Sequence, residues 1–168
     1  MYFFTATINS WKKLLQTDEM KSIITDSLLW FHKNNRAAIC GFVVMPNHIH
    51  LLWEPLNGNT ESDNEFALVS FTGHQFKKKL TETNPDLLKE FISTQADRQF
   101  HFWERRPRTI ETMTRKITEQ KLDYIHNNPC QDKWQLVEEP AGYKFSSARY
   151  YQTSIDDFGF ITHYTEWE

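Results

Sequence analysis

Within "VVMPNHIHLLWEP", residues 43–55, two histidines stand one residue apart inside an apolar run. Successive side chains on a strand alternate faces, so His48 and His50 point the same way, about 6–7 Å apart along the backbone, while Ile49 points into the opposite layer. Two imidazoles so placed can converge on one cation. A lone His-x-His pair is also what the solvated face of an amphipathic strand carries, and it falls short of a full ligand set. A second stretch, "KLDYIHNNPC" at 121–130, puts Tyr124 and Asn128 four apart and so on one helix face, with Gln120 one turn earlier and Lys121 beside them. Polar groups line up with the phenol there, although Met113, Ile117 and Tyr124 also make a helical stripe of the kind that fills a core.

Strands and helices must bring these groups together. "AICGFVVM" and "HIHLLW" are dominated by β-branched and apolar residues and predict two short buried strands hinged at Pro46-Asn47, because proline cannot sit inside a ladder. "YFFTATI" predicts a first strand. From Asp18 a helix follows, with Met20, Ile23, Ile24, Leu28 and Phe31 at helical spacing down to "KNNR". After the polar "LNGNTESDN", Phe66, Val69, Phe76 and Leu80 form another helical stripe, whose outer face carries Lys77, Lys78 and Lys79, and Asn84-Pro85 starts a further helix. "QFHFWER" alternates as a fourth strand. A last helix is expected from Thr109 or Ile110 to Asn127, stopped by "NNP" because the residue before proline is pushed out of the α region. The order β-α-β-β-α-β-α implies an α+β, ferredoxin-like (RRM-like) antiparallel sheet with helices on one face, plus a C-terminal helix and tail. The other sheet face is left for a site. All 168 residues are expected to form one domain, with a core to about residue 130 and an extension over about 131–168.

Composition narrows the class. A 15% aromatic content supplies a core, and no apolar run is long enough to cross a bilayer. "MYFFTATINSWKK" lacks the basic start and small-residue cleavage site of a leader, which makes the cytoplasm the expected compartment. Cys40 and Cys130 form no metal spacing and no disulfide framework, so each is expected to pack as a small hydrophobe. The net charge of −3 argues against an indiscriminately basic binder. Its distribution is uneven: seven bases face four acids between Arg98 and Gln131, and from Asp132 to Glu168 seven acids face three bases. A cationic stretch followed by an anionic tail suits a confined polyanion site, or a solvated helix face with alternating charges.

Taken together, "MPNHIHLLW", "FWERRPRT", "KLDYIHNNP" and "GYKFSSARYY", in this order and at these separations, resemble the single-tyrosine HUH transposases, most closely their REP-associated branch within the IS200-like group. The resemblance covers residues 1–54 and about 99–151, and the Tyr-Ile-His-x-Asn-Pro and Tyr-x-x-Ser-Ser blocks are far more specific than His-x-His. It implies that His48 and His50 are ligands of Mg²⁺ or Mn²⁺ and that Tyr124 is the nucleophile. In related enzymes a polar residue one turn after the tyrosine, often glutamine, helps bind the metal; Asn128 occupies that place with a shorter side chain. Cys130 stands where valine usually follows Asn-Pro, a neutral change. The implied partner is single-stranded DNA carrying a hairpin or repeat, with a 5′-phosphotyrosine and a free 3′-OH as products, and the chain acting as a monomer or a homodimer. Arg105, Arg106, Arg108, Arg115, Lys116, Lys121 and Lys77 to Lys79 are the expected phosphate contacts.

The residue types suit that chemistry. A phenol of pKa near 10 is ionised in only about one molecule per thousand at neutral pH, and a divalent ion that polarises the scissile phosphate offsets the deficit. Imidazole is an unusual ligand for Mg²⁺, so Mn²⁺ should bind at least as well. Two alternatives stay open. One is a non-cleaving single-strand-binding module on the same fold, with Phe100, Phe102 and Trp103 stacking on bases. The other is a metal-dependent phosphodiesterase using the histidine pair; its histidine-triad version fails because Leu52 stands where a third histidine is needed.

Overall fold

Pro46 falls where the chain reverses. In the computed structural model, which describes residues 1–96 and 98–167, β2 (Ala37–Val44) ends before it and β3 (His48–Pro55) begins after it. The Met45 N–H donates to the His48 carbonyl at 2.8 Å and closes the hairpin. β1 (Tyr2–Thr7) pairs antiparallel with β3 on one side and with β4 (Arg108–Glu111) on the other. The sheet order is β2-β3-β1-β4, the ferredoxin-like arrangement that the element order predicts.

The first sheet face is covered by two long helices. α1 (Asp18–Lys33) starts at Thr17, whose side chain accepts from the Met20 N–H, and it buries Met20, Ile24, Leu28 and Phe31. α2 (Glu61–Thr83) opens with a reciprocal cap between Thr60 and Asp63 and buries Leu68, Phe76 and Leu80. Beneath them Trp53 packs with its ring centroid 5.5 Å from Phe4 and 5.8 Å from Phe31. α3 (Pro85–Lys89) is the short helix expected after Asn84, whose Oδ1 accepts from the Leu87 N–H.

The fourth strand and last helix differ from the sequence expectation. "QFHFWER" forms only single bridges, Phe100 to Ile92 and Trp103 to Ile8. Its neighbours Phe102 and Trp103 are both buried, against Phe76, and Trp103 Nε1 donates to Thr72 Oγ1 of α2. Two consecutive side chains directed into one layer are incompatible with a regular strand. The edge strand is instead Arg108–Glu111, so the helix expected from Thr109 or Ile110 begins later than the sequence predicts. α4 (Arg115–Asn127) begins only after Thr114, whose hydroxyl accepts from the Ile117 N–H.

The second sheet face is not left bare: α4 lies across β2 and β3 and buries Leu122 and Ile125 there. The tail then closes the outer edge of β2. Val44 N–H donates to Phe145 O at 2.9 Å, Ser147 N–H to Phe42 O at 3.0 Å and Thr162 N–H to Ile39 O at 2.9 Å. The Tyr143 and Tyr151 hydroxyls donate to Val44 O and Cys40 O. A sheet edge that would otherwise offer free amides is thus paired within the chain. Among the described residues no helix is long and apolar enough to cross a membrane. Glu168, one of the acids of the anionic tail, lies outside the described residues.

Candidate active site

Alternation on β3 sends Ile49, Leu51 and Trp53 toward α1 and α2, and His48 and His50 toward α4. Both histidines are buried, with ring centroids 4.8 Å apart. Each ring is fixed through Nδ1. Asn47 donates from Nδ2 to the Trp11 carbonyl at 3.1 Å, which leaves its Oδ1 to accept from His48 Nδ1 at 2.7 Å. His50 Nδ1 lies 2.8 Å from Thr5 Oγ1 on β1, its register partner. With the proton of His48 held on Nδ1 its lone pair falls on Nε2, and a His50 ring that donates from Nδ1 to the Thr5 hydroxyl offers Nε2 in the same way, the arrangement that second-sphere partners impose on histidine ligands. His50 Nε2 is buried without a partner. Burial, with a smaller contribution from the Lys133 charge, holds His48 down to about 4. His50 is held down to about 3 by burial first, then by His48 and the charges of Lys133 and Lys121. Both are therefore neutral near pH 7, the form that ligates metals.

α4 brings the second half of the site over this pair. Its buried side is Thr118, Leu122, Ile125 and His126, so the stripe Met113-Ile117-Tyr124 is not the core face: Met113 precedes the helix, and Tyr124 is 44% exposed. The Tyr124 ring lies 5.1 Å from that of His50 and 6.0 Å from that of Phe3, centroid to centroid. Lys121 Nζ sits over the Phe3 ring at 4.9 Å. Gln120 is exposed one turn before the tyrosine. After Asn127 the chain tightens into a 3-10 turn, Asn128–Cys130, which carries Asn128 inward to 1% exposure beside His48. Both atoms of its side-chain amide are buried and unpartnered, as is Trp134 Nε1, whose ring lies 5.7 Å from His48.

Buried polar atoms without partners are costly and rare, and here His50 Nε2, the Asn128 amide and Trp134 Nε1 surround one imidazole. The donor chemistry fits a divalent cation: two neutral imidazole nitrogens and one amide oxygen. Among the described residues no group of three or more His, Cys, Asp or Glu comes together, so the amide is what makes this a three-donor set. Tyr124, Asn128 and both histidines come together within one chain.

The expected phosphate contacts divide between the faces. Thr5 pairs with both His50 and Arg108, and cross-strand partners share a face, so Arg108 stands in the His50-Thr5 row on the α4 side. Lys121 and exposed Lys116 are on α4 itself, and exposed Arg105 and Arg106 precede β4. Arg115 pairs with Glu119 at 2.8 Å. Lys77, Lys78 and Lys79 lie on α2, across the sheet from the histidines. Lys77 donates to Gln99 Oε1 and covers the Phe100 ring, and Lys79 pairs with Glu19 of α1 at 3.2 Å. Lys77 and Arg105 line a cleft of about 640 Å³ between α2 and residues 98–107, with Phe100, Phe102 and Trp103 in its wall.

Sequence reasoning did not single out Thr5, Asn47, Lys133 or Trp134. Asn47 directly precedes His48 and could have been found as its neighbour. Thr5 becomes visible only through the β1–β3 register, and Trp134 only once the turn after Asn128 folds back. His126, likewise unassigned, is buried with Nε2 2.8 Å from Ser147 Oγ, and burial holds it down to about 4.

No family model and no curated protein matches the chain. Solved structures do. A structure of a REP-associated tyrosine transposase bound to a REP hairpin aligns over 96% of this chain and 84% of its own, with a TM-score of 0.63 at 19% identity. A structure assigned as a transposase of Deinococcus radiodurans R1 aligns over 75% of this chain and 88% of its own, with a TM-score of 0.51 at 20% identity. At such identities the likeness establishes a shared fold, a four-stranded antiparallel sheet with helices packed on it.

Proposed function

We propose that this chain cuts and rejoins single-stranded DNA through a covalent bond to Tyr124, with one Mn²⁺ or Mg²⁺ held by His48, His50 and Asn128. The observation that carries the reading is the meeting of an exposed phenol with a buried donor set: the Tyr124 ring lies 5.1 Å from His50, whose Nε2 has no partner. The likeness to a transposase structure that holds a REP hairpin supports a hairpin-bearing strand as the substrate.

Asn47 holds His48 in the tautomer that offers Nε2, the Thr5 hydroxyl can accept from His50 Nδ1 to do the same for His50, and burial keeps both unprotonated. A cation bound there supplies polarisation of the scissile phosphate and stabilisation of developing charge. The Tyr124 oxygen forms a bond to phosphorus as the bond to O3′ breaks; the phenolic proton leaves and O3′ takes one up. One phosphodiester replaces another, so attack by a new 3′-OH reverses the step without ATP. Lys133 and Lys121 are the cations whose charge is felt at the histidines, and Arg108 stands in their row on β4. Arg115 and Lys116 continue the cationic rim along α4, while Arg105 and Arg106 lie on the segment that leads into β4. DNA reaching Lys77, Lys78 and Lys79 has to pass around the β4 edge.

Calorimetric titration with Mn²⁺ tests the donor set. One ion should bind the wild type, and His48→Ala/His50→Ala should remove both binding and cleavage from a folded protein. Equal Mn²⁺ affinity in the double variant would sink the assignment. DNA binding unaffected by metal, with no cleavage, would favour the single-strand-binding module.

A further inference from the structure

Tyr124 and Asn128 share α4, so their distance from His48 and His50 depends on how that helix sits on the sheet. One contact is apolar. A Cβ added at Gly41 of β2 would fall 2.6 Å from Leu122 Cδ1, so a larger residue there would have to displace the end of the leucine side chain that α4 seats on the strand. The second contact is polar and lies one turn further along. His126 Nε2 is 2.8 Å from Ser147 Oγ, and the Phe42 N–H donates to the same oxygen at 2.9 Å. The hydroxyl proton of Ser147 can go to His126 Nε2 or to Phe42 O at 3.3 Å, and the shorter contact is to the imidazole. One buried oxygen thereby joins α4, the tail and β2. Phe42 adjoins Val43, which pairs in register with His50. The tyrosine helix and the histidine strand are thus referenced to the same segment of β2.

We propose that His126 and Ser147 are positioning residues for the chemistry at Tyr124, setting the height and angle of α4 so that phenol and amide meet the histidine pair. The inference rests on the proposed function. It gives the tail motif Tyr-x-x-Ser-Ser a role in the reaction without contact with DNA or metal: Tyr143 and Tyr151 pin the tail to Val44 O and Cys40 O on either side of the serine. Loss of the link should slow the covalent step and leave strand binding alone, since it moves reacting groups and removes no DNA contact.

The test is the single-turnover rate of covalent adduct formation at saturating DNA and Mn²⁺, normalised to folded protein, for Ser147→Ala, His126→Leu, their double variant and His126→Gln. Each of the first two should lose about tenfold to a hundredfold, as misplacement of about 1 Å does, while Kd for DNA stays within about threefold. Because both act through one link, the double variant should be no slower than the worse single one. His126→Gln, which returns a polar group at the same reach, should recover most of the rate. Unchanged rates per folded molecule, additive losses, or losses that follow Kd would overturn the positioning role and leave the Tyr124 reading standing. A wild type that forms no adduct with Mn²⁺ would overturn both.

Discussion

Ile49, Leu51 and Trp53 face α1 and α2, while His48 and His50, alternating with them on the same strand, face α4; all five are buried. On the first face burial removes apolar area from water, and Trp53 stacks on Phe4 and packs tilted against Phe31. Trp53 Nε1 is unpartnered there, but an indole N–H is a donor only and cannot bind a cation. On the second face Leu52 is buried near Leu122 and Ile125 of α4, but burial there also falls on imidazole nitrogens with lone pairs and on the Asn128 amide. One face of a single strand is therefore wholly apolar, and the other gives up part of its stabilising burial to hold a binding capacity.

Exchanging the two kinds of residue is the strongest way to break this contrast. Leu51→Ala leaves a void between sheet and helices and should cost about 2–5 kcal/mol of stability, while Mn²⁺ binding per folded molecule persists. His50→Ala should leave the denaturant midpoint nearly unchanged and abolish Mn²⁺ binding. A Leu51→Ala protein that is folded yet blind to Mn²⁺, or a His50→Ala protein that unfolds, would show that the two faces are not separable.

Acid separates the faces more gently. In the metal-free protein burial holds His48 and His126 at about 4 and His50 at about 3, against 6.5 for an ordinary histidine. Below about 6.5 the unfolded chain binds more protons than the folded one, so stability falls as pH drops from there toward 4 and is fully present above that window. His50→Ala removes one of these groups and should flatten the decline. Melting curves of both proteins from pH 7 to pH 4.5 provide the check, and equal slopes would contradict the burial of a neutral imidazole at that position.

The alternation that separates the faces was legible in the sequence, since Pro46 fixes the hairpin and a period of two fixes which residues share a side. The same rule misled at "QFHFWER", where alternation is accidental: Phe102 and Trp103 both turn inward beneath α2. Thr109 and Ile110 suit a strand as well as a helix start, and only the cap at Thr114 shows that the helix begins later. Asn128 and Tyr124 were placed on one face by helical spacing, but the burial of Asn128 depends on the 3-10 turn that follows. Thr5 carries no local signal at all, because cross-strand register is a tertiary fact. Lys77 to Lys79 were correctly expected on the outer face of a helix, yet the sequence does not say on which side of the sheet that helix lies.

The smallest effects are expected in DNA binding. Arg105→Ala/Arg106→Ala and Arg108→Ala should each weaken binding of a hairpin with a single-stranded flank and reduce the salt slope by about one per lost phosphate contact. Replacing Lys77, Lys78 and Lys79, across the sheet from the histidines, should change the slope least. An unchanged slope in the arginine variants would make the rim a solvated surface, and a larger change in the lysine variant would move the DNA path to α2.

The central claim is that one phenol, Tyr124, beside the histidine pair performs the chemistry. Incubation with Mn²⁺ and single-stranded DNA carrying a cognate hairpin, followed by denaturation and mass spectrometry, addresses it directly. The wild type should retain a 5′-linked DNA fragment on Tyr124 alone, and Tyr124→Phe, which keeps the ring against Phe3 and His50 but lacks the oxygen, should fold, bind Mn²⁺ and DNA, and form no adduct. An adduct that persists in the phenylalanine variant, or multiple-turnover cleavage by the wild type with no adduct at all, would contradict the account.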